Sequence, residues 1–307
     1  MSRAVAQVTV DDSRFESDAR FALTDIPRIR VRGSRANGTP RKARRLIAFG
    51  WYGGKFNHLN WLLPQLAACR HYCEPFGGSA AVLLNRAPAP IETYNDLDNE
   101  VVNFFRVLRE QKAQLIEAIA LTPFSREEFY YACRPPEFPI SRLERARRFF
   151  VRARQVRTGL AQTASLGRWA NCKDTSRSGM SGVVSRWLGS VAMLPEVVER
   201  LLRVQIENRP AVEIIELYDG PDTLFYCDPP YPHETRGDAK AYGFEMSDSE
   251  HERFAEVLLG IKGRAAVSGY DGPLYSRLFE KWRRIEAPAR KCHSIKKLRR
   301  EILWLNY

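Results

Sequence analysis

Four consecutive residues, Asp228, Pro229, Pro230 and Tyr231, follow the apolar run Leu224, Phe225, Tyr226 and Cys227. At about five per cent usage per residue type, a given tetrapeptide arises by chance in roughly one chain of this length in several hundred. Chance is therefore a poor account of it. The exocyclic amino group of an aromatic base is a weak nucleophile because its lone pair is delocalised into the ring. Acceptors that draw on its hydrogens favour a more tetrahedral, more reactive nitrogen. The Asp228 carboxylate can take one hydrogen and the Pro229 carbonyl the other, and the paired prolines fix φ and offer no competing N–H. Tyr231 adds a flat face on which an extruded base can stack. The same four residues could also form a rigid turn that merely ends a strand.

Such a tetrapeptide needs a scaffold that presents it, and the apolar run before it reads as a buried strand whose carboxyl end would carry it. From Leu46 onward, short apolar runs alternate with helical patterns, the texture of an α/β domain. Helices are expected over 57–68, 98–108, 196–202, 211–218 and 249–261, and strands over 72–76, 91–95, 204–207, 223–227 and 265–268. Closing strands are expected near Ile285 and over 301–307. Between about 109 and 195 the rhythm breaks. Arg142, Arg145, Arg147, Arg148, Arg152, Arg154 and Arg157 are interleaved with Leu143, Ala146, Phe150 and Ala153 at helical spacing, giving a helix with one packing face and one cationic face. Residues 158–190 are rich in Gly, Ser and Thr around Trp169 and Trp187, which suits a surface loop or hairpin.

The chain has 307 residues, a formal net charge of +12 and a pI near 9.6, which favours a polyanionic partner. Residues 1–44 lack periodicity, and eight lysines and arginines fall between Arg28 and Arg45, so a mobile basic arm is expected there. None of the six cysteines forms a C-x-x-C pair. Cys69, His71 and Cys73 read as a helix end running into a buried strand, so no metal is expected. No run of 18 apolar residues and no apolar signal core occur, which points to a reducing cytoplasm and no membrane partner.

Four segments carry a family resemblance: Trp51-Tyr52-Gly53-Gly54-Lys55, Glu74-Pro75-Phe76-Gly77-Gly78-Ser79-Ala80, Asn95-Asp96, and the Asp228 tetrapeptide. In this order, over about 46–307, the chain resembles the Dam-like (D12 class) DNA adenine N6-methyltransferases. The resemblance implies a Rossmann-like, S-adenosylmethionine-dependent methyltransferase core, 45–108 and 196–307, with a mostly helical target-recognition insert over 109–195. It implies that Trp51, Lys55, Glu74, Phe76, Gly78, Asp96 and Asp228 hold S-adenosylmethionine, Lys55 as a point charge for the cofactor's carboxylate. Asp96 stands eighteen residues beyond Gly78, where an acidic side chain can accept both hydroxyls of a ribose, with Asp98 as a helix cap. Asp228, Pro229, Pro230 and Tyr231 become the catalytic set, acting on a flipped adenine in double-stranded DNA. Arg142, Arg145, Arg148, Arg152 and Arg157 become candidate DNA contacts. The family usually has a second glycine where this chain has Ala80, so a slightly different loop geometry is expected there. The resemblance further implies a cytoplasmic, DNA-associated enzyme of bacterial or phage origin, of the restriction-modification kind. Oligomeric state and recognition sequence are left open. The alternatives are a cytosine N4 methyltransferase, which usually has Ser rather than Asp first in the tetrapeptide, and a silent DNA-binding protein on the same fold.

Overall fold

The computed structural model describes residues 44–157, 168–177, 179–235, 243–288, 290–291 and 298–307. The expected arm at 1–44 lies outside these residues except for Arg44, and so do 158–167 and 178 of the loop expected over 158–190.

The helix expected at 57–68 is broken into a 3₁₀ turn at Lys55–His58, a single turn α1 (Leu59–Leu62) and a second 3₁₀ turn at Leu63–Gln65. Pro64 lacks the N–H that would continue the ladder. β1 (His71–Glu74), α2 (Ala81–Asn85), β2 (Ile91–Asn95) and α3 (Asn99–Glu110) follow. Asp98 caps α3, its side chain accepting from the Glu100 N–H.

Four helices then fill the interval expected to be mostly helical, of which the residues had located one: α4 (Lys112–Leu121), α5 (Arg126–Cys133), the arginine-rich α6 (Arg142–Gln155) and, beyond the hairpin β3 (Ser176–Arg177) and β4 (Met180–Ser181), α7 (Gly182–Val191). The loop expected up to residue 190 thus gives way to helix from Gly182. Val183, Trp187 and Val191, four residues apart, are its buried stripe, and Trp187 packs on Phe150 and Phe124. Trp187 is therefore core.

α8 (Leu194–Leu201), β5 (Gln205–Glu207), α9 (Ala211–Tyr218), β6 (Thr223–Cys227), α10 (Asp248–Leu259), β7 (Arg264–Tyr270), α11 (Pro273–Leu278) and β8 (Arg283–Glu286) resume the alternation. A small ladder of β9 (Arg290–Lys291) with β10 (Leu298–Arg299) precedes the last strand, β11 (Glu301–Leu305).

The seven-stranded sheet runs β5-β2-β1-β6-β7-β11-β8. β5, β2, β1, β6 and β7 pair in parallel, and β11 is antiparallel to both its neighbours. Side chains alternate across it: Tyr72, Tyr94, Leu224, Tyr226 and Leu303 join a core shared with α3, α6, α7 and α8, whereas Cys73, Phe225, Cys227, Val267 and Trp304 join one under α9, α10 and α11. The chain starts in the middle at β1, moves outward through β2 and β5, then returns to the other side of β1 as β6. Strand order reverses between β1 and β6, and open α/β sheets bind ligands outside the carboxyl ends of strands at such a point.

Candidate active site

The segment after β1 begins at Pro75 and the segment after β6 begins at Asp228, so the topology alone brings the glycine loop and the tetrapeptide together. Between them opens a cleft enclosing about 1020 Å³ of empty space, part of it open to solvent. Trp51, Lys55, Glu74, Phe76, Gly78, Asp96, Asp228 and Pro230 all line it. Pro229 is buried and is not part of the wall.

The loop after β1 is shaped by contact. A Cβ on Gly77 would lie 2.1 Å from the ring of Tyr94, and one on Gly78 would lie 2.7 Å from Trp51 Nε1. Gly78 also sits at φ +48, in the left-handed region that favours glycine. Ala80 holds φ 54, ψ 29 despite its Cβ. Ala80 is thus left-handed, and α2 starts directly from there.

Asp96 closes the cleft beyond β2. Its Oδ2 accepts from the Gly78 N–H at 2.7 Å and its Oδ1 from the Asp98 N–H at 2.8 Å, leaving lone pairs on both oxygens for ribose hydroxyls. Burial pushes its carboxyl up to about 6. Glu74, bonded by the Tyr72 hydroxyl at 2.7 Å, is pushed by burial up to about 8.

Lys55 is 4% exposed and its ammonium meets three acceptors: the Gly53 carbonyl at 2.7 Å, Asp228 Oδ1 at 2.7 Å and Glu301 Oε1 at 3.2 Å. Burial opposes its charge, but Asp228 and Glu301 outweigh that and raise its pKa. Burial in turn pushes Asp228 up to about 6, against the pull of Lys55 and with the push of Glu301. The Tyr231 hydroxyl donates to Glu301 Oε1 and lies 3.2 Å from Asp228 Oδ1, and its ring stands edge-on to Tyr270 at 4.8 Å. Tyr231 is 3% exposed and is not part of the cleft wall, so a base stacking on it requires that ring to be uncovered.

This arrangement fits a nucleoside carrying a charged amino-acid tail: a carboxylate for ribose, a close-approach glycine loop, an aromatic wall at Trp51 and Phe76, and an anionic end at Asp228. Residues 51–290 match the family model described as D12 class N6 adenine-specific DNA methyltransferase. The chain belongs to that family. It methylates the N6 of adenine at specific sites in DNA, and the cytosine N4 alternative falls away. The enzyme is also similar to the Type II methyltransferase M1.LlaDCHI of Lactococcus lactis subsp. cremoris, 27% identical over 286 residues, which cover 84% of this chain and 94% of that one. Among the described residues no helix is long and apolar enough to cross a membrane, and no group of acidic, histidine and cysteine side chains could hold a metal ion.

The arginines of α6 lie apart from the cleft lining. Arg142 meets Glu110 at 3.1 Å, Arg145 meets Glu100, and Arg147 meets Glu144 at 2.7 Å and Glu128 at 2.9 Å. Arg148 is 5% exposed, bonded to Glu144 at 3.0 Å and laid over the Tyr131 ring. Arg152 donates to the Ala132 carbonyl at 2.8 Å. Arg154 is pushed down to about 10 by burial. Exposed Arg157 reaches Asn171 at 3.3 Å. Arg145, Arg148 and Arg152 share a second cavity with Arg134 and Glu100.

Sequence reasoning missed Glu301, which shares the Lys55 ammonium with Asp228, and also Arg209, Phe244, Met246 and Glu250 on the cleft wall. Glu301 left one signal: an acidic residue opening the apolar run Ile302, Leu303, Trp304, Leu305.

Proposed function

We propose that the enzyme uses S-adenosylmethionine, held by Trp51, Phe76, Gly78 and Asp96, and that Asp228 accepts an N6 hydrogen of a flipped adenine; the Pro229 carbonyl takes the second once the base displaces what covers that buried residue. One observation carries this reading. Asp228 Oδ1 faces the Lys55 ammonium at 2.7 Å and the Tyr231 hydroxyl at 3.2 Å, no hydrogen bond engages Oδ2 among the described residues, and the carboxylate, its side chain 18% exposed, borders the cleft. The cofactor supplies a methyl group on a positively charged sulfur, and no covalent enzyme intermediate is needed. The protein's part is to orient the amino group, exclude water and receive a proton at Asp228 Oδ2, effects whose combined scale reaches about 7–11 kcal/mol. Lys55 meets the cofactor's carboxylate, as the resemblance implies, only by releasing one of its three acceptors. Glu74, its carboxyl pushed up by burial, also lines the cleft.

Double-stranded DNA would lie across the same face. Leu97 belongs to the cleft wall, and Glu100, one turn further along the start of α3, belongs to the cavity of Arg134, Arg145, Arg148 and Arg152, so a phosphate at that cavity would flank a base entering the cleft. Exposed Arg142 and Arg157 would add contacts on either side. On this reading residues 109–195 are the target-recognition insert and 45–108 with 196–307 the catalytic core. The similarity to a Type II methyltransferase supports a place in restriction-modification, and membership of a DNA-acting family supports a cytoplasmic setting.

Asp228→Ala tests the assignment. Methylation of N6 in duplex DNA should fall on the order of 10²–10⁴-fold, with the melting temperature and equilibrium binding of S-adenosylmethionine close to wild type. Turnover within a few-fold of wild type would remove Asp228 from the centre. Sequencing modified bases in DNA from cells expressing the enzyme would give its site.

A further inference from the structure

Two carboxylates, one ammonium and one phenol are packed together at the base of the cleft, and the family comparison speaks to none of their couplings. With all three charges present, Lys55, Asp228 and Glu301 sum to one net negative charge. Without Glu301, the Lys55 ammonium would neutralise Asp228 in a one-to-one pair. Glu301 draws on the same ammonium at 3.2 Å and engages the Tyr231 hydroxyl, while Asp228 offers Oδ1 alone to the cluster. Glu301 is 4% exposed, at the first position of β11, in register with Tyr270 of β7, whose ring braces Tyr231. A buried carboxylate persists only where partners compensate its desolvation. Here the partners are those of the catalytic carboxylate.

We propose that Glu301 is a positioning residue for methyl transfer: through Lys55 and Tyr231 it fixes Asp228 by Oδ1, turns Oδ2 to the adenine N6, and leaves the cluster with the net negative charge that receives the N6 proton. This rests on the role given to Asp228 above. As the bond from N6 to the methyl carbon forms, the methyl's bond to sulfur breaks and its electron pair stays on sulfur. The amino nitrogen becomes positive, sheds one proton to Asp228 Oδ2, and regains its lone pair. A centre that is negative before transfer stabilises that transient positive charge and is neutral once it holds the proton. The groups facing Asp228 are Lys55 from the first 3₁₀ turn, Glu301 from β11, Tyr231, Glu74 on β1, and Tyr226 and Cys227 on β6. Of these, Glu301 and Lys55 act on its ionisation most directly and with opposite sign, Glu301 raising and Lys55 lowering the pKa.

The experiment is a pH series of single-turnover methyl transfer to duplex DNA at saturating S-adenosylmethionine, with equilibrium dialysis of the cofactor alongside. The wild-type rate should rise through a midpoint near pH 6, because protonated Asp228 cannot accept. Glu301→Gln keeps the shape and removes the charge. It should lower the midpoint by about one pH unit and the plateau rate by about tenfold, with cofactor affinity changed less than about twofold. Glu301→Asp should keep the midpoint near the wild-type value while the plateau stays low, since the charge survives but the reach does not. Lys55→Met supplies a check that does not depend on Glu301 variants folding, and should raise the midpoint. A readout free of activity is the ¹³C titration of the Asp228 carboxyl in cofactor-free protein, assigned by its loss in Asp228→Asn and expected to shift down in Glu301→Gln. A slower Glu301→Gln enzyme with an unmoved midpoint would make Glu301 a packing residue and overturn the proposal, as would an unchanged plateau. If Asp228→Asn itself retained turnover, the assignment of Asp228 would fail first, and the two failures are distinguishable.

Discussion

The cleft and the arginine-rich helix α6 are both dense in functional residue types, yet they use them differently. At the cleft, residues separated by more than 170 positions converge on one space, and each glycine or carboxylate meets a backbone or charge requirement found there. On α6, five of its six arginines pair with Glu100, Glu110, Glu128 or Glu144 of the same chain. A motif that shapes backbone around a ligand has few other uses. An arginine serves equally as phosphate anchor, ion-pair partner or apolar stem, and only its neighbours decide.

The contrast breaks most sharply if the cleft tolerates a methyl group. Gly77→Ala should drive its Cβ into the fully buried Tyr94 ring, whose hydroxyl holds the Gly78 carbonyl at 2.7 Å. We expect a loss of about 2–3 kcal/mol in stability and at least about tenfold weaker cofactor binding, read by denaturant titration and equilibrium dialysis. Wild-type values would mean that the close approach of Gly77 and Tyr94 is not a real constraint. A smaller effect separates the arginines from one another. Arg148→Ala should cost about 2 kcal/mol of stability because it strips a buried guanidinium from Glu144 and Tyr131. Exposed Arg157→Ala should leave stability within about 0.5 kcal/mol and instead reduce the salt slope of DNA binding by about one. The reverse pattern would exchange their roles. The smallest effect is at Ala80, where glycine relieves a left-handed Cβ but frees the unfolded chain. Ala80→Gly should stabilise by up to about 1 kcal/mol, a rise of about 2–4 °C in Tm, and a lower Tm would show that the loop holds no strain there.

The sheet was legible because its strands are short apolar runs bounded by turn residues: 91–95 and 223–227 match Ile91–Asn95 and Thr223–Cys227 to the residue. The break at Pro64 and the helix starting at Gly182 were less so, the first because a lone proline sits inside an apolar helical pattern, the second because Gly, Ser and Thr around Trp187 hide the stripe of Val183, Trp187 and Val191. At the cleft, Trp51, Lys55, Asp96 and Asp228 were named by the motifs that carry the family resemblance, and all four line it. Glu301 could not, since its meaning lies in an ammonium nearly 250 residues away that β11 reaches only after the sheet has closed.

The place where α4–α8 leave and rejoin the sheet has a consequence for how such an enzyme changes. Arg109, at the end of α3, donates to the Val204 carbonyl at 2.8 Å across a separation of 95 residues, and Arg200 on α8 clasps the buried Glu92 of β2. The excursion therefore begins and ends at one spot beside β2 and β5. The entropy of closing a loop grows only with the logarithm of its length, about 0.6 kcal/mol for each doubling. A detour of this size thus asks only about 2 kcal/mol more than a connection of a dozen residues, a penalty that the packing of α6 on α3 can readily offset. Within such a closure, the length and sequence of the connection between α6 and α7 can change with little consequence for the sheet, so that connection can drift at a rate the cleft cannot follow.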